Sequence, residues 1–324
     1  MKSPARRRLL TAYALSACGL ARVPDVLAAS SHNKAPGALV LKSLGDPFVA
    51  TMIDGAKNYQ RHFASQLDLA TYGTQTDNDV AGQIRIVESC IDAKVSAIVI
   101  APADSKALLA PVVKVIAAGI IVIAIDNPFA EAAQDAANVQ ILFVGPDSRR
   151  GARLVGAYFG ARLKVGSEVG IIEGPVNDRN AQQRTLGFRQ SMDAAGMKIA
   201  GTEAGDWSAA SGKAIALQML VEHPAIGGLL CANDNLVMGA IDAIRIAGKK
   251  GRVLVTGYNN IDAVQPMLQD GRLLATVEQF GARQAVFGVD VAVKALLEHR
   301  RQRGLSPFME TPVQVVGKRK GGKF

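Results

Sequence analysis

Ala38-Leu39-Val40-Leu41-Lys42-Ser43-Leu44-Gly45-Asp46-Pro47-Phe48 is a short apolar run that breaks into a polar turn and then opens an amphipathic stretch. The same unit recurs down the chain. Apolar runs at Asp68–Tyr72, Ala97–Ile100, Ile121–Ile125 and Gln140–Val144 alternate with helical stretches at Asp46–Ala64, Asp77–Ala93 and Ser105–Ala118. After a helix rich in small residues (Asp147–Leu163), strands at Glu168–Ile172, Lys198–Glu203, Gly228–Leu230, Arg252–Thr256 and Leu274–Val277 are expected. Helices at Asn180–Ala195, Ser208–Val221, Asn235–Ala247 and Ile261–Gln269 lie between them, and a long helix (Gly281–Arg303) and an extended Val313–Val316 follow. Strand–helix alternation of this kind implies parallel sheets covered by helices on both faces.

Two similar runs predict two lobes, each a parallel sheet flanked by helices. The helix after Gln279 has no place in a completed second sheet, so it is expected to return to the first lobe. Three crossings near 145, 279 and 308 then form a hinge. The expected division is 38–145 with 280–308 for the first lobe and 146–279 with 309–318 for the second, preceded by a linker at 30–37 and followed by a basic tail at 319–324.

A chain of 324 residues, 49% hydrophobic and 20% charged, has the composition of a globular protein of about two domains. The net charge of +9 gathers at the ends, in Lys2, Arg6, Arg7 and Arg8, in Arg300, Arg301 and Arg303, and in Lys318, Arg319, Lys320 and Lys323. Charge placed this way lines no groove, so no nucleic-acid partner is expected. Residues 1–29 read as a signal peptide: three arginines, an apolar stretch from Leu9 to Ala21, and small residues at Ala28-Ala29. That stretch is too short to span a membrane. Export to the periplasm is the expectation, either with ordinary cleavage near Ala28 or with lipidation of Cys18 in Leu15-Ser16-Ala17-Cys18. Cys90 and Cys231 are expected as buried free thiols, and four scattered histidines predict no metal site.

Parallel sheets bind ligands at the carboxyl ends of their strands. Those ends carry Asp46, Asp126, Asn127, Asn233, Asn259 and Gln279, which hydrogen-bond but supply no evident nucleophile. G-x-G-x-x-G, H-E-x-x-H and G-x-S-x-G are absent, and Gly212-Lys213 is followed by Ala214 where a phosphate loop needs Ser or Thr. No enzyme and no cofactor are expected. Gly151, Gly156 and Gly160 are read as permitting close helix packing.

Ser43-Leu44-Gly45-Asp46-Pro47-Phe48 resembles the opening motif of ribose/galactose-type periplasmic binding proteins. Further matches follow in order: Ala101–Ser105, Ile125-Asp126-Asn127, Gly145–Ser148, Gln183–Phe188 with its Arg-x-x-Gly-Phe, Asp206-Trp207, Ala232-Asn233-Asp234, Gly257-Tyr258-Asn259 and Ala275–Gln279. Together they span roughly residues 38–316. The resemblance implies the type I periplasmic binding protein fold, two flavodoxin-like lobes that capture a sugar or polyol in their cleft. It also implies delivery to an ABC permease, with the binding protein itself a monomer. A sensor presenting the sugar to a membrane receptor is the alternative.

The chemistry of the residues agrees with hydroxyl recognition. Carboxylates and amides accept from or donate to hydroxyls, and a guanidinium supplies paired donors. Asp46, Asp126, Asn127, Arg184, Asn233, Asn259 and Gln279 are the expected polar contacts, and Phe48 and Trp207, one per lobe, the expected ring platforms. Each has another reading: Phe48 as core, Arg184 in a surface ion pair, Gln279 as a hinge contact. Of the neighbours Asn233 and Asp234, the first is assigned to the ligand and the second to capping the helix. Asp46 and Asp126 against Arg184 favour a neutral polyol over a sugar acid. Ribose-type members carry Asp-Arg after the fourth strand and an Asp after the strand ending here at Thr256; Asn127 and Asn259 stand in those places and argue against ribose itself.

Overall fold

Continuous apolar strands are stable only if both of their faces are covered, and the computed structural model, which describes residues 34–63 and 66–318, has that arrangement. The expected signal peptide, Cys18 and the basic tail lie outside the described residues. The first sheet takes β1 (Ala35–Ser43), β2 (Leu67–Thr74), β3 (Ala97–Ile100), β4 (Ile121–Ile125) and β5 (Leu142–Pro146). The second takes β6 (Glu168–Glu173), β7 (Lys198–Ala204), β8 (Ile226–Cys231), β9 (Leu254–Thr256) and β10 (Ala275–Glu278). Each is completed at one edge by a late strand, β11 (Phe308–Thr311) for the first and β12 (Gln314–Gly317) for the second. Strand orders are β2-β1-β3-β4-β5-β11 and β7-β6-β8-β9-β10-β12, so the two sheets repeat one topology. All pairings are parallel except β10 with β12.

Side-chain alternation partitions the first core. Ala38, Val40, Ile98, Ile100, Val122 and Ala124 face one layer, which holds Val87 and Cys90 of α2 (Val80–Asp92) and Val112 and Val115 of α3 (Leu109–Ala117). Leu39, Leu41, Val99, Ile123 and Ile125 face the other, against α1 (Pro47–Phe63) and α10 (Gly281–Leu297). Fully burying each such Leu or Ile contributes about 1.5–3 kcal/mol. In the second half α5 (Ser148–Gly160) packs on α6 (Arg179–Ala194), and α7 (Ala209–Glu222) on α8 (Asp234–Ile246). The α5–α6 approach is close because Gly156 and Gly160 of α5 lie against Ser191 and Ala195, leaving no room for a Cβ.

Four features differ from expectation. The last helix stops at Leu297, and His299 after it adopts a left-handed φ of 51°, which ends helical bonding. Phe308–Thr311 is a strand on β5, so the third crossing falls at 312–313 rather than 308, and residues 309–311 belong with the first sheet. Its burial pattern is exposed except for Thr311, as befits an edge, and so it lacks the apolar signature of the inner strands. A short α4 (Glu131–Ala136) with no buried residue also went unread. The Ile261–Gln269 helix is split into a 3-10 turn (Asp262–Val264) and α9 (Gln265–Asp270), with Pro266 opening the second piece.

Candidate functional site

The carboxyl ends of the two sheets face one another, and every expected site residue except Asn127 lines one cavity between them. Asp46, Phe48 and Asp126 come from the first lobe; Arg184, Trp207, Asn233 and Asn259 come from the second, with Gln279 at a crossing. Lys42, Val49, Asp77 and Asn180 complete the wall.

Backbone geometry aims these groups. Asp126, Trp207 and Asn259 have left-handed φ values of 60°, 71° and 115°, and Phe280 beside Gln279 has 55°. Such conformations are costly for non-glycine residues and concentrate where function demands a particular direction. At β4 the left-handed turn points Asp126 into the cavity and sends Asn127 away from it. Fully buried Asn127 donates from Nδ2 to Pro102 O (2.9 Å) and accepts at Oδ1 from Asn180 N–H (3.1 Å). It braces the cleft rather than lining it.

Asp46 serves two elements. Its Oδ1 accepts from Phe48 N–H (2.7 Å) and Val49 N–H (3.3 Å), capping α1 ahead of Pro47. Its Oδ2 accepts from Asn235 Nδ2 (2.7 Å) across the cleft. Asn233 takes both of the roles expected of the pair, and Asp234 takes neither. Asn233 is the N-cap of α8, accepting from Leu236 N–H at 2.8 Å, although it also lines the cavity. Asp234 is wholly buried and accepts from Thr276 Oγ1 (2.7 Å) and Ile261 N–H (3.1 Å); burial pushes its carboxyl up to about 7 despite these bonds.

Arg184 is 3% exposed and its guanidinium lies 3.8 Å from the Tyr258 ring centre. Nη1 donates to Ala232 O (2.9 Å) and Nη2 to Gln279 Oε1 (3.4 Å), while Gln279 Nε2 donates to Asn259 Oδ1 (2.7 Å). Nε has no protein partner. A buried cation with an unused N–H is costly unless another acceptor comes to it. Trp207 Nε1 donates to Asp178 Oδ2 (3.3 Å), and its ring packs flat against Gly174, where a Cβ would overlap the indole. Gly174→Ala should therefore displace the ring and weaken ligand affinity at least tenfold while the circular dichroism spectrum is unchanged; unaltered affinity would show that the ring's position does not matter.

The sequence reading missed Lys42 as a site residue. Its ammonium sits 2.9 Å from Asp178 of the second lobe and 3.3 Å from Asp126 of the first, with all three side chains buried. Burial alone would lower its pKa, but Asp178, Asp126 and Asp77 outweigh that and raise it above the ordinary lysine range. A lysine ending an otherwise apolar, doubly buried strand was the available signal. Asn180 was also missed. It donates from Nδ2 to Asp126 O (2.9 Å) and Oδ1 (3.3 Å), joining the lobes beside the ion pair. Together with Asn235–Asp46, these contacts close the cleft. The carboxylates of Asp46, Asp77 and Asp126 in the wall outnumber the cations of Lys42 and Arg184, so the cavity disfavours anions.

A topologically repeated pair of sheets, hinged three times and closed over a polar pocket, defines the class of bilobed solute-binding proteins. The family described as "Periplasmic binding protein domain" matches residues 37–299, and the chain belongs to it. The chain is similar to the D-ribose/D-allose-binding protein of Pseudomonas aeruginosa, with 49% identity over 98% of this chain and 99% of that one. Among solved structures, an ABC transporter solute binding protein from Burkholderia multivorans, with an unknown ligand built as alpha-D-erythrofuranose, matches at 53% identity. The match covers 87% of this chain and 99% of that one, with a TM-score of 0.85. A periplasmic solute binding protein from Actinobacillus succinogenes with bound D-allose matches at 26% identity and TM-score 0.80, over 88% and 98% of the two chains.

Proposed function

We propose that this protein captures a neutral monosaccharide in the cleft and hands it, as the periplasmic component of an ABC import system, to a membrane permease. The observation that carries the reading is the polar cavity between the lobes, lined by Arg184, which is almost wholly buried and whose Nε–H has no protein partner. A ring oxygen or hydroxyl supplies the missing acceptor. Carboxylates at Asp46, Asp77 and Asp126 accept hydrogen bonds from hydroxyls, and Phe48 and Trp207 cover apolar ring faces from opposite lobes. Micromolar binding needs about −8 kcal/mol, which a few exposed hydrogen bonds at about 1.5–3 kcal/mol each do not reach once association costs are met. Enclosure between two lobes supplies the remainder.

D-ribose and D-allose are the ligands to test first, because the relatives are named for them or hold one of them. The expectation against ribose loses half its ground, since Asn127 does not face the cavity. The relatives named above are described as sugar-binding or ABC transporter proteins, which favours import over the sensor alternative. Export through the signal peptide, with or without lipidation of Cys18, and action as a monomer are part of the same proposal.

Trp207 is the chain's only tryptophan, so fluorescence excited selectively in tryptophan rather than tyrosine reports on the cavity. Titration with D-ribose, D-allose, other pentoses and hexoses and cyclitols should give saturable changes with micromolar midpoints for at least one neutral sugar. Glucuronate should give none. If no neutral sugar changes the emission or raises the melting temperature, the reading fails.

A further inference from the structure

Each carboxylate at the cavity has a different share of partners. Asp46 has two backbone donors and Asn235; Asp126 has Lys42 and Asn180. Asp178, behind them, has Lys42, Ala181 N–H and Trp207 Nε1. Asp77 is the exception. Among the described residues its only hydrogen bond comes from Ser43 N–H at 3.3 Å, and Lys42 gives its ion pairs to Asp126 and Asp178 instead. Yet Asp77 lines both the cavity and the groove at its mouth, as do Asp46 and Trp207. A half-buried carboxylate with a free oxygen at the edge of a polyol pocket lacks a donor, and Arg184 opposite lacks an acceptor. One sugar, with hydroxyls that do both, satisfies the two ends.

We propose that Asp77 is a specificity-determining residue that accepts a hydrogen bond from a sugar hydroxyl on the mouth side of the cavity and thereby makes sugar affinity depend on pH. The inference rests on the sugar-binding reading above. The charged groups that face Asp77 are Lys42 on β1, Asp46 before α1 and Asp126 after β4, with Asp206 across the mouth. Burial is the largest influence and pushes the Asp77 carboxyl up to about 6; Lys42 opposes it, and Asp46 and Asp126 add to it. A hydroxyl donating to the carboxylate favours the ionised form. The sugar therefore binds the deprotonated protein more tightly, and affinity falls as pH drops through about 6, with a proton released on binding near that pH.

The test is isothermal titration calorimetry with D-ribose and D-allose between pH 5.0 and 7.5, on the wild type and Asp77→Asn. The wild type should bind about tenfold more weakly at pH 5.0 than at pH 7.5, the factor expected for one group titrating near 6. Asp77→Asn should bind about tenfold more weakly at pH 7.5 and lose the pH dependence. A wild type with flat affinity, or a variant that keeps either the wild-type affinity or the slope, overturns the assignment. Asp234 titrates nearby in pH, but it is tied to Thr276 and Ile261 and is not in the cavity wall, so a slope that came from it would persist in Asp77→Asn, and loss of the slope there assigns it to Asp77. Should the variant not fold, wild-type titrations at pH 6.0 in phosphate and in imidazole decide the matter, because proton release gives different heats in the two buffers and equal heats refute it. A wild type that binds neither these sugars nor other neutral sugars overturns the sugar-binding reading itself, and this inference with it.

Discussion

Arg184→Ala should lower sugar affinity by about 100- to 1,000-fold. The guanidinium is buried and its Nε–H has no protein partner, and hydrogen bonds from a charged group contribute about 1.5–3 kcal/mol each. Loss of one or two such bonds, with the loosening of Gln279 and Asn259 that they hold, amounts to about 3–4 kcal/mol, or two to three decades in Kd. The truncation also leaves Ala232 O without its donor and Tyr258 without its stacked neighbour, so some stability is lost. Calorimetric titration beside ligand-free thermal denaturation separates the two effects. Near-normal affinity in a folded variant would remove Arg184 from the site.

Lys42→Ala is expected to open the cleft. It strips the cation from Asp178, 1% exposed, and from Asp126, and breaking a buried pair by removing one partner costs about 3–5 kcal/mol. The penalty falls on the closed form, because separating the lobes returns Asp178 to water. Small-angle scattering of the ligand-free variant should therefore give a larger radius of gyration than the wild type. Affinity should fall with it, since the sugar must then drive closure unaided. Lys42→Met, which keeps the bulk without the charge, should behave the same way. Identical scattering profiles for wild type and both variants would mean that the ion pair does not hold the lobes together.

How much of this was legible differs from element to element. The inner strands were readable because burial on both faces demands unbroken apolar runs, as in Ile121–Ile125. Phe308–Thr311 was not, because an edge strand with an exposed face carries no such run. Asp46, Phe48, Trp207 and Arg184 were legible from strand-end positions together with the resemblance to sugar-binding proteins, and all four line the one cavity. Asn127 was misplaced because its direction depends on the left-handed turn at Asp126, and a residue's φ is not written in its neighbours. The Asn233 and Asp234 roles turned on which side chain Thr276 and Ile261 would reach, a question of contact between distant strands.

Sequence by itself determined two helix-covered parallel sheets, their hinge, and a set of polar strand ends suited to hydroxyl groups, since periodicity and turn chemistry are local properties. Tertiary structure alone decided that Lys42 lies between Asp126 and Asp178, that Asn180 spans the cleft, and that Asp77 is left short of a donor. Those facts arise from charges brought together across as many as 136 positions of chain, where desolvation and geometry, not residue type, assign the partner.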